Sequence, residues 1–102
     1  MAFSSWWAFN EGMVESDRDD SGVYQFADDS GAIIYIGSSD HIKTRLKQHL
    51  SADAKPCIKT NAKKYQIDYR SDYLKEEKRL YDVHEKAHGK PPKSNDISPP
   101  GA

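Results

Sequence analysis

Two short runs of β-branched and aromatic residues, Val23 to Phe26 and Ile33 to Ile36, stand on either side of Asp28-Asp29-Ser30-Gly31. A polar turn closed by glycine between two such runs predicts a β-hairpin, and a hairpin is marginal in water until other elements cover it. The rest of the chain supplies the cover. From Asp40, a candidate N-cap, Ile42, Leu46 and Leu50 recur every fourth residue, so their side chains share one face of a helix that Ser51 to Asp53 bring to an end. Residues 52–62 have a thinner apolar pattern, and Pro56 there suits the opening of a short second helix or a loop; the short helix is the expectation. Tyr65, Ile67 and Tyr69 alternate with polar residues as a half-buried strand does, and Ser71-Asp72 offer a cap for a last helix reaching about His88. Gly89 and Pro91-Pro92 stop it.

At 102 residues the chain suits one modest core. Three segments are expected: an arm over residues 1–20, a domain over 21–95 and a flexible tail over 96–102. The arm joins an aromatic cluster, Trp6, Trp7 and Phe9, to an acidic stretch from Glu15 to Ser21. Tryptophans on a short arm more often cap the domain's own core than stack on bases. Cys57 is the lone cysteine, which excludes an internal disulfide and a zinc site made of several thiolates. No apolar run approaches the roughly 20 residues that span a bilayer, so the default expectation is a cytoplasmic protein without a membrane partner.

Charge is unevenly distributed. The formal total is -1, yet residues 1–40 carry eight acids against Arg18 alone, a net of -7, while residues 41–102 carry fourteen Lys/Arg and eight acids, a net of +6. The later part can therefore meet a polyanion, although lysines on solvated helix faces give the same count. Nothing in the pattern speaks to oligomeric state.

The residues able to do chemistry are spread along this scaffold. Gly22-Val23-Tyr24 falls on the first strand and Tyr35-Ile36-Gly37 on the second, so a hairpin can bring two phenols together. Arg45 and His49 are four residues apart on the following helix and are expected to share one edge as a cationic ridge. Glu77 lies three residues after Leu74 and four before Tyr81, near the expected core-facing side of the last helix, and Asn95 follows the prolines.

Over residues 22 to 95 these elements resemble, in order, the motifs of the GIY-YIG nuclease superfamily, with valine at the isoleucine of the name. The resemblance implies an α+β fold, a small three-stranded antiparallel β-sheet flanked by α-helices. It also implies an endonuclease that hydrolyses phosphodiester bonds in nucleic acid, DNA ahead of RNA, with one divalent metal ion, Mg²⁺ or Mn²⁺. By the same resemblance Glu77 holds the metal, Arg45 binds the scissile phosphate, Tyr24 is the general base and Tyr35 positions the phosphate or the water. His49 either takes the phenolic proton or contacts substrate, and Gly22, Gly37 and Asn95 support the site. Each role suits its chemistry: a hard cation prefers carboxylate oxygen, and a guanidinium is a two-pronged donor whose charge survives at any working pH.

Two rival readings accompany this one. A domain of the same fold could bind nucleic acid without cutting it. Alternatively, His84-Glu85-Lys86-Ala87-His88 spells H-E-x-x-H, which places two imidazoles on one helix face as in zinc metalloproteases. Catalytic zinc usually takes a third protein ligand, and neither Glu nor His follows His88, so adventitious zinc binding by the pair is the milder form of that reading.

Overall fold

The computed structural model describes residues 6–51, 56–90 and 92. In chain order they form β1 (Trp7–Ala8), α1 (Glu11–Glu15), β2 (Gly22–Ala27), β3 (Ile33–Ser39), α2 (Ile42–Leu50), α3 (Pro56–Asn61), β4 (Lys64–Tyr69) and α4 (Tyr73–His88). The hairpin turn is gathered onto one carboxylate. Asp28 Oδ1 accepts from Ser30 N at 2.9 Å, Ser30 Oγ at 2.6 Å and Ala32 N at 3.1 Å, and Gly31 takes a φ of 89°, a backbone region that a Cβ disfavours.

The antiparallel sheet has the order β1-β4-β2-β3. It is four-stranded where three strands were expected. The extra strand, two residues of the N-terminal segment, pairs Trp7 with Tyr65, and it is too short to show a period of two in the sequence. All six residues of β2 are buried because the sheet is covered on both faces. On one face Tyr24, Phe26, Tyr65 and Ile67 pack with Val14 of α1, Ile42 and Leu46 of α2 and Ile58 of α3. On the other, Val23 and Ile36 meet Leu80 of α4. The unbroken run from Ile33 to Ile36 serves both faces through a bulge. Phe26 pairs with Tyr35 and Ala27 with Ile33, which leaves Ile34 as the extra residue and sends it to the same face as Tyr35.

The two faces are held differently. The first has ten buried side chains, each large one contributing about 1.5–3 kcal/mol. The second has three, with Ile33 and Tyr73 packed against them, and ion pairs at the start of α4 add to that contact. Arg70, just after β4, contacts Asp68 at 3.0 Å, Asp72 at 2.5 Å and the buried Glu76 at 3.4 Å, and Arg79 reaches Glu76 at 2.6 Å. Asp72 is the N-cap residue but makes no side-chain cap bond, contrary to expectation, because Arg70 engages both its oxygens. Gly89 ends α4 with a φ of 74°.

Nor does Asp40 cap α2. The N-cap residue is His41, and the capping carboxylate comes from the N-terminal segment: Asp19 accepts from Thr44 N and Thr44 Oγ1, each at 2.9 Å. Glu15 holds Lys47 at 2.8 Å and Lys43 at 3.5 Å on the same helix. Val14 is fully buried and Trp7, Phe9 and Met13 pack against the core, so the N-terminal segment is anchored to the domain by these side chains, although Trp6 stays exposed.

Candidate active site

Four elements end around one cleft of about 340 Å³, to which β2 contributes Tyr24, β3 Tyr35, Gly37 and Ser38, α2 Arg45 and α4 Glu77. The sheet register sets its floor. Tyr24 pairs with Gly37 across the hairpin, and its phenol lies over that glycine. A Cβ at Gly37 would stand 2.5 Å from Tyr24 Oη, 2.6 Å from Tyr24 Cζ and 2.9 Å from Tyr35 Cε2. Gly37 is therefore the space into which the phenols fit. Gly22 does the same for backbone, since a Cβ there would stand 2.5 Å from the carbonyl oxygen of Asp68 and 2.9 Å from Tyr69 Cα. The two tyrosine rings are stacked, with centroids 6.1 Å apart.

Burial and charge pull against each other in the cleft. Burial, then the neighbouring Tyr35, pushes the Tyr24 phenol well above its ordinary pKa, and Arg45 pulls the other way. Burial opposes the charge on Arg45, but the phenols of Tyr24 and Tyr35 outweigh it and leave the guanidinium more firmly protonated than usual. Glu77 is buried enough for its carboxyl to titrate above the usual range, despite a hydrogen bond from Ser38 Oγ to Oε1 at 2.5 Å and the nearby Arg45. A partly desolvated carboxylate beside an open cleft gains from a cation, and a site with few carboxylates, Glu77 with Asp40 on the same wall, suits Mg²⁺, which keeps most of its waters. The residues present thus fit one hard divalent ion.

The structure brings Tyr24, Tyr35, Arg45 and Glu77 together at the cleft, with Gly37 beneath them. His49 is near but not with them. The expected cationic ridge does not form, because α2 turns Arg45 outward to the cleft while His49 points into the core, 9% exposed, with Nε2 2.8 Å from Tyr24 Oη. Its ring packs among Tyr24, Phe26 and Tyr35. Asn95 lies outside the described residues. Leu74, expected to face the core with Glu77, is 44% exposed and lines the cleft beside Tyr73.

The family model described as the GIY-YIG catalytic domain matches residues 20–89. The chain belongs to the GIY-YIG family. It is accordingly a nuclease domain. Among solved structures, the GIY-YIG N-terminal endonuclease domain of UvrC from Thermotoga maritima, in a point-mutant form bound to its catalytic divalent cation, superimposes with a TM-score of 0.63 at 23% identity, covering 84% of this chain and 93% of that one. The same domain bound to magnesium gives 0.62 at 23% identity, over 82% and 92%. The UvrABC system protein C of Helicobacter hepaticus is 37% identical over 41 residues, which are 40% of this chain and 7% of that protein. The match therefore spans a small part of that relative's length.

The sequence does not single out Ser38. It follows Gly37 directly, and nothing in the local pattern distinguishes it from the adjacent Ser39. Only the packing of α4 against β3 brings Glu77 to its hydroxyl. For H-E-x-x-H, among the described residues no group of three His, Cys, Asp or Glu is placed to hold a metal ion, so the protease reading lacks its third ligand there. Among the described residues, no helix is long and apolar enough to cross a membrane.

Proposed function

We propose that this domain is a divalent-metal-dependent endonuclease that hydrolyses phosphodiester bonds in nucleic acid, with DNA as its first substrate. The observation that carries the proposal is the meeting of a guanidinium, a desolvated carboxylate and two phenols from four elements at one cleft. Glu77 would hold Mg²⁺ or Mn²⁺, steadied by Ser38. When bound, the ion supplies a positive charge that offsets the negative charge growing on the phosphate and the leaving oxygen.

Arg45 binds the non-bridging oxygens of the scissile phosphate through its planar fork, and the charge that builds there makes the contact stronger in the transition state than in the ground state. Tyr35, stacked beside Tyr24, orients the phosphate or the attacking water. Tyr24 takes a proton from that water. Its raised pKa makes a standing phenolate costly, and the 2.8 Å contact with His49 offers a way around that cost. With the His49 proton on Nδ1, Tyr24 donates its own proton to Nε2 as it receives one from water, so the phenol remains neutral and His49 ends as the imidazolium.

The test is cleavage of single-stranded, duplex and branched DNA and RNA with Mg²⁺ or Mn²⁺ by the parent, Glu77→Ala and Arg45→Lys. The expected result is metal-dependent cutting by the parent, none by Glu77→Ala, and a loss of about 10²–10³-fold in Arg45→Lys, which keeps the charge but not the fork. Full-rate cutting by either variant would refute the site. Binding without cutting by the parent would leave a non-cleaving module of the same fold.

A further inference from the structure

The second half of α4 carries two histidines that the cleft chemistry does not use. His84 and His88 are one turn apart, with ring centroids 4.4 Å apart and planes inclined by 37°. They border a hollow of about 220 Å³ between the end of α4 and the β2–β3 turn, whose wall includes Asp28, Ile33 and Lys90. We propose that His84 and His88 form a second metal site, which takes a borderline transition ion of the Zn²⁺ class through two imidazoles, with water in the remaining positions.

Imidazoles four residues apart on a helix face the same way, and nitrogens about 2.0–2.1 Å from one ion lie within reach of rings at this spacing. The protein contributes two donors. Asp28 borders the hollow, but its Oδ1 is committed to the turn, and among the described residues no third His, Cys, Asp or Glu completes a cluster. Lys90 adds a positive charge to the same wall. The site is therefore an open one, weaker than a four-ligand structural zinc centre.

Donor chemistry separates this site from the cleft. Glu77 offers hard carboxylate oxygen, which suits Mg²⁺, whereas two imidazoles suit Zn²⁺, Ni²⁺ or Cu²⁺ and have little attraction for Mg²⁺. An ion on both rings ties together the last turns of α4, just before the left-handed Gly89 ends the helix. That tie raises the melting temperature with the logarithm of free Zn²⁺ once its concentration exceeds the dissociation constant.

The experiment is a calorimetric titration of the metal-free chain with Zn²⁺ in excess Mg²⁺, in the parent and in Glu77→Ala, alone and combined with His84→Ala, His88→Ala or His84→Gln. The last keeps side-chain bulk against the hollow, and circular dichroism checks that each variant folds. The expected result is one Zn²⁺ per chain in the parent and in Glu77→Ala, weakened at least about tenfold by each histidine substitution. Absence of Zn²⁺ binding, equal binding in the histidine variants, displacement by Mg²⁺ or loss in Glu77→Ala would each overturn the proposal.

Discussion

Replacing Tyr24 by phenylalanine removes one oxygen and tests both the packing and the chemistry of the site. The phenol is fully buried, its partner His49 is nearly so, and the contact between them is 2.8 Å. Taking the hydroxyl from a buried imidazole nitrogen costs about 1–3 kcal/mol when nothing replaces it. In a domain of this size each kcal/mol moves the melting temperature by roughly 4–8 °C, so Tyr24→Phe should lower it by at least about 4 °C. The effect on rate should be larger, about 10²–10⁴-fold, if the lost group receives the proton of the attacking water as proposed. Single-turnover cleavage at saturating metal reads that loss, and thermal melting reads the other. His49→Gln then completes a double-mutant cycle. If Tyr24 and His49 move protons as a unit, the double variant cuts little more slowly than the worse single one. A rate within tenfold of the parent in Tyr24→Phe, or simple multiplication of the two losses, would refute the relay.

Two further outcomes follow from the same geometry. Burial raises the carboxyl pKa of Glu77, so the folded state holds that proton more tightly than the unfolded chain; the charged group opposes folding above its folded pKa, and the penalty vanishes as pH falls below its unfolded value. Glu77→Gln, which can still accept from Ser38, should therefore melt higher than the parent in metal-free buffer at neutral pH, with the gap closing on acidification to about pH 4; a lower melting temperature at neutral pH would count against it. Gly37→Ala places a methyl 2.5 Å from Tyr24 Oη and should cost about 1–3 kcal/mol by overpacking while displacing the phenol. Melting and cleavage should fall together, and an alanine variant with parental activity would show that the glycine is dispensable.

Much of the secondary structure was legible because its causes are local. The turn at Asp28 to Gly31, the four-residue spacing of Ile42, Leu46 and Leu50, the alternation of Tyr65, Ile67 and Tyr69, and the stop at Gly89 each lie within a few residues of the backbone they shape. The resemblance carried by Gly22 to Tyr24 and Tyr35 to Gly37 was legible for a related reason, since the motif spans a hairpin whose register a short turn sets. Caps failed where a distant group competed. Asp40 and Asp72 both looked like N-caps, but Asp19 reaches α2 from 25 residues away, and Arg70 draws the Asp72 carboxylate away from the helix end.

The sequence by itself determined which side chains could do chemistry and on which elements they stand. Tertiary structure alone decided how they are used. On α2 the helical period leaves Arg45 and His49 near one edge, and only the packing of that helix on the sheet turns the first to the cleft and the second into the core against Tyr24. Ser38 is one of two adjacent serines until α4 lies along β3 and brings Glu77 to it from 39 residues away. Two residues of β1 show no periodicity and become a strand only because β4 offers an edge to pair with. Local patterns are governed by backbone geometry over a few residues, whereas burial, hydrogen-bond partners and pKa depend on which distant surfaces exclude water from one another.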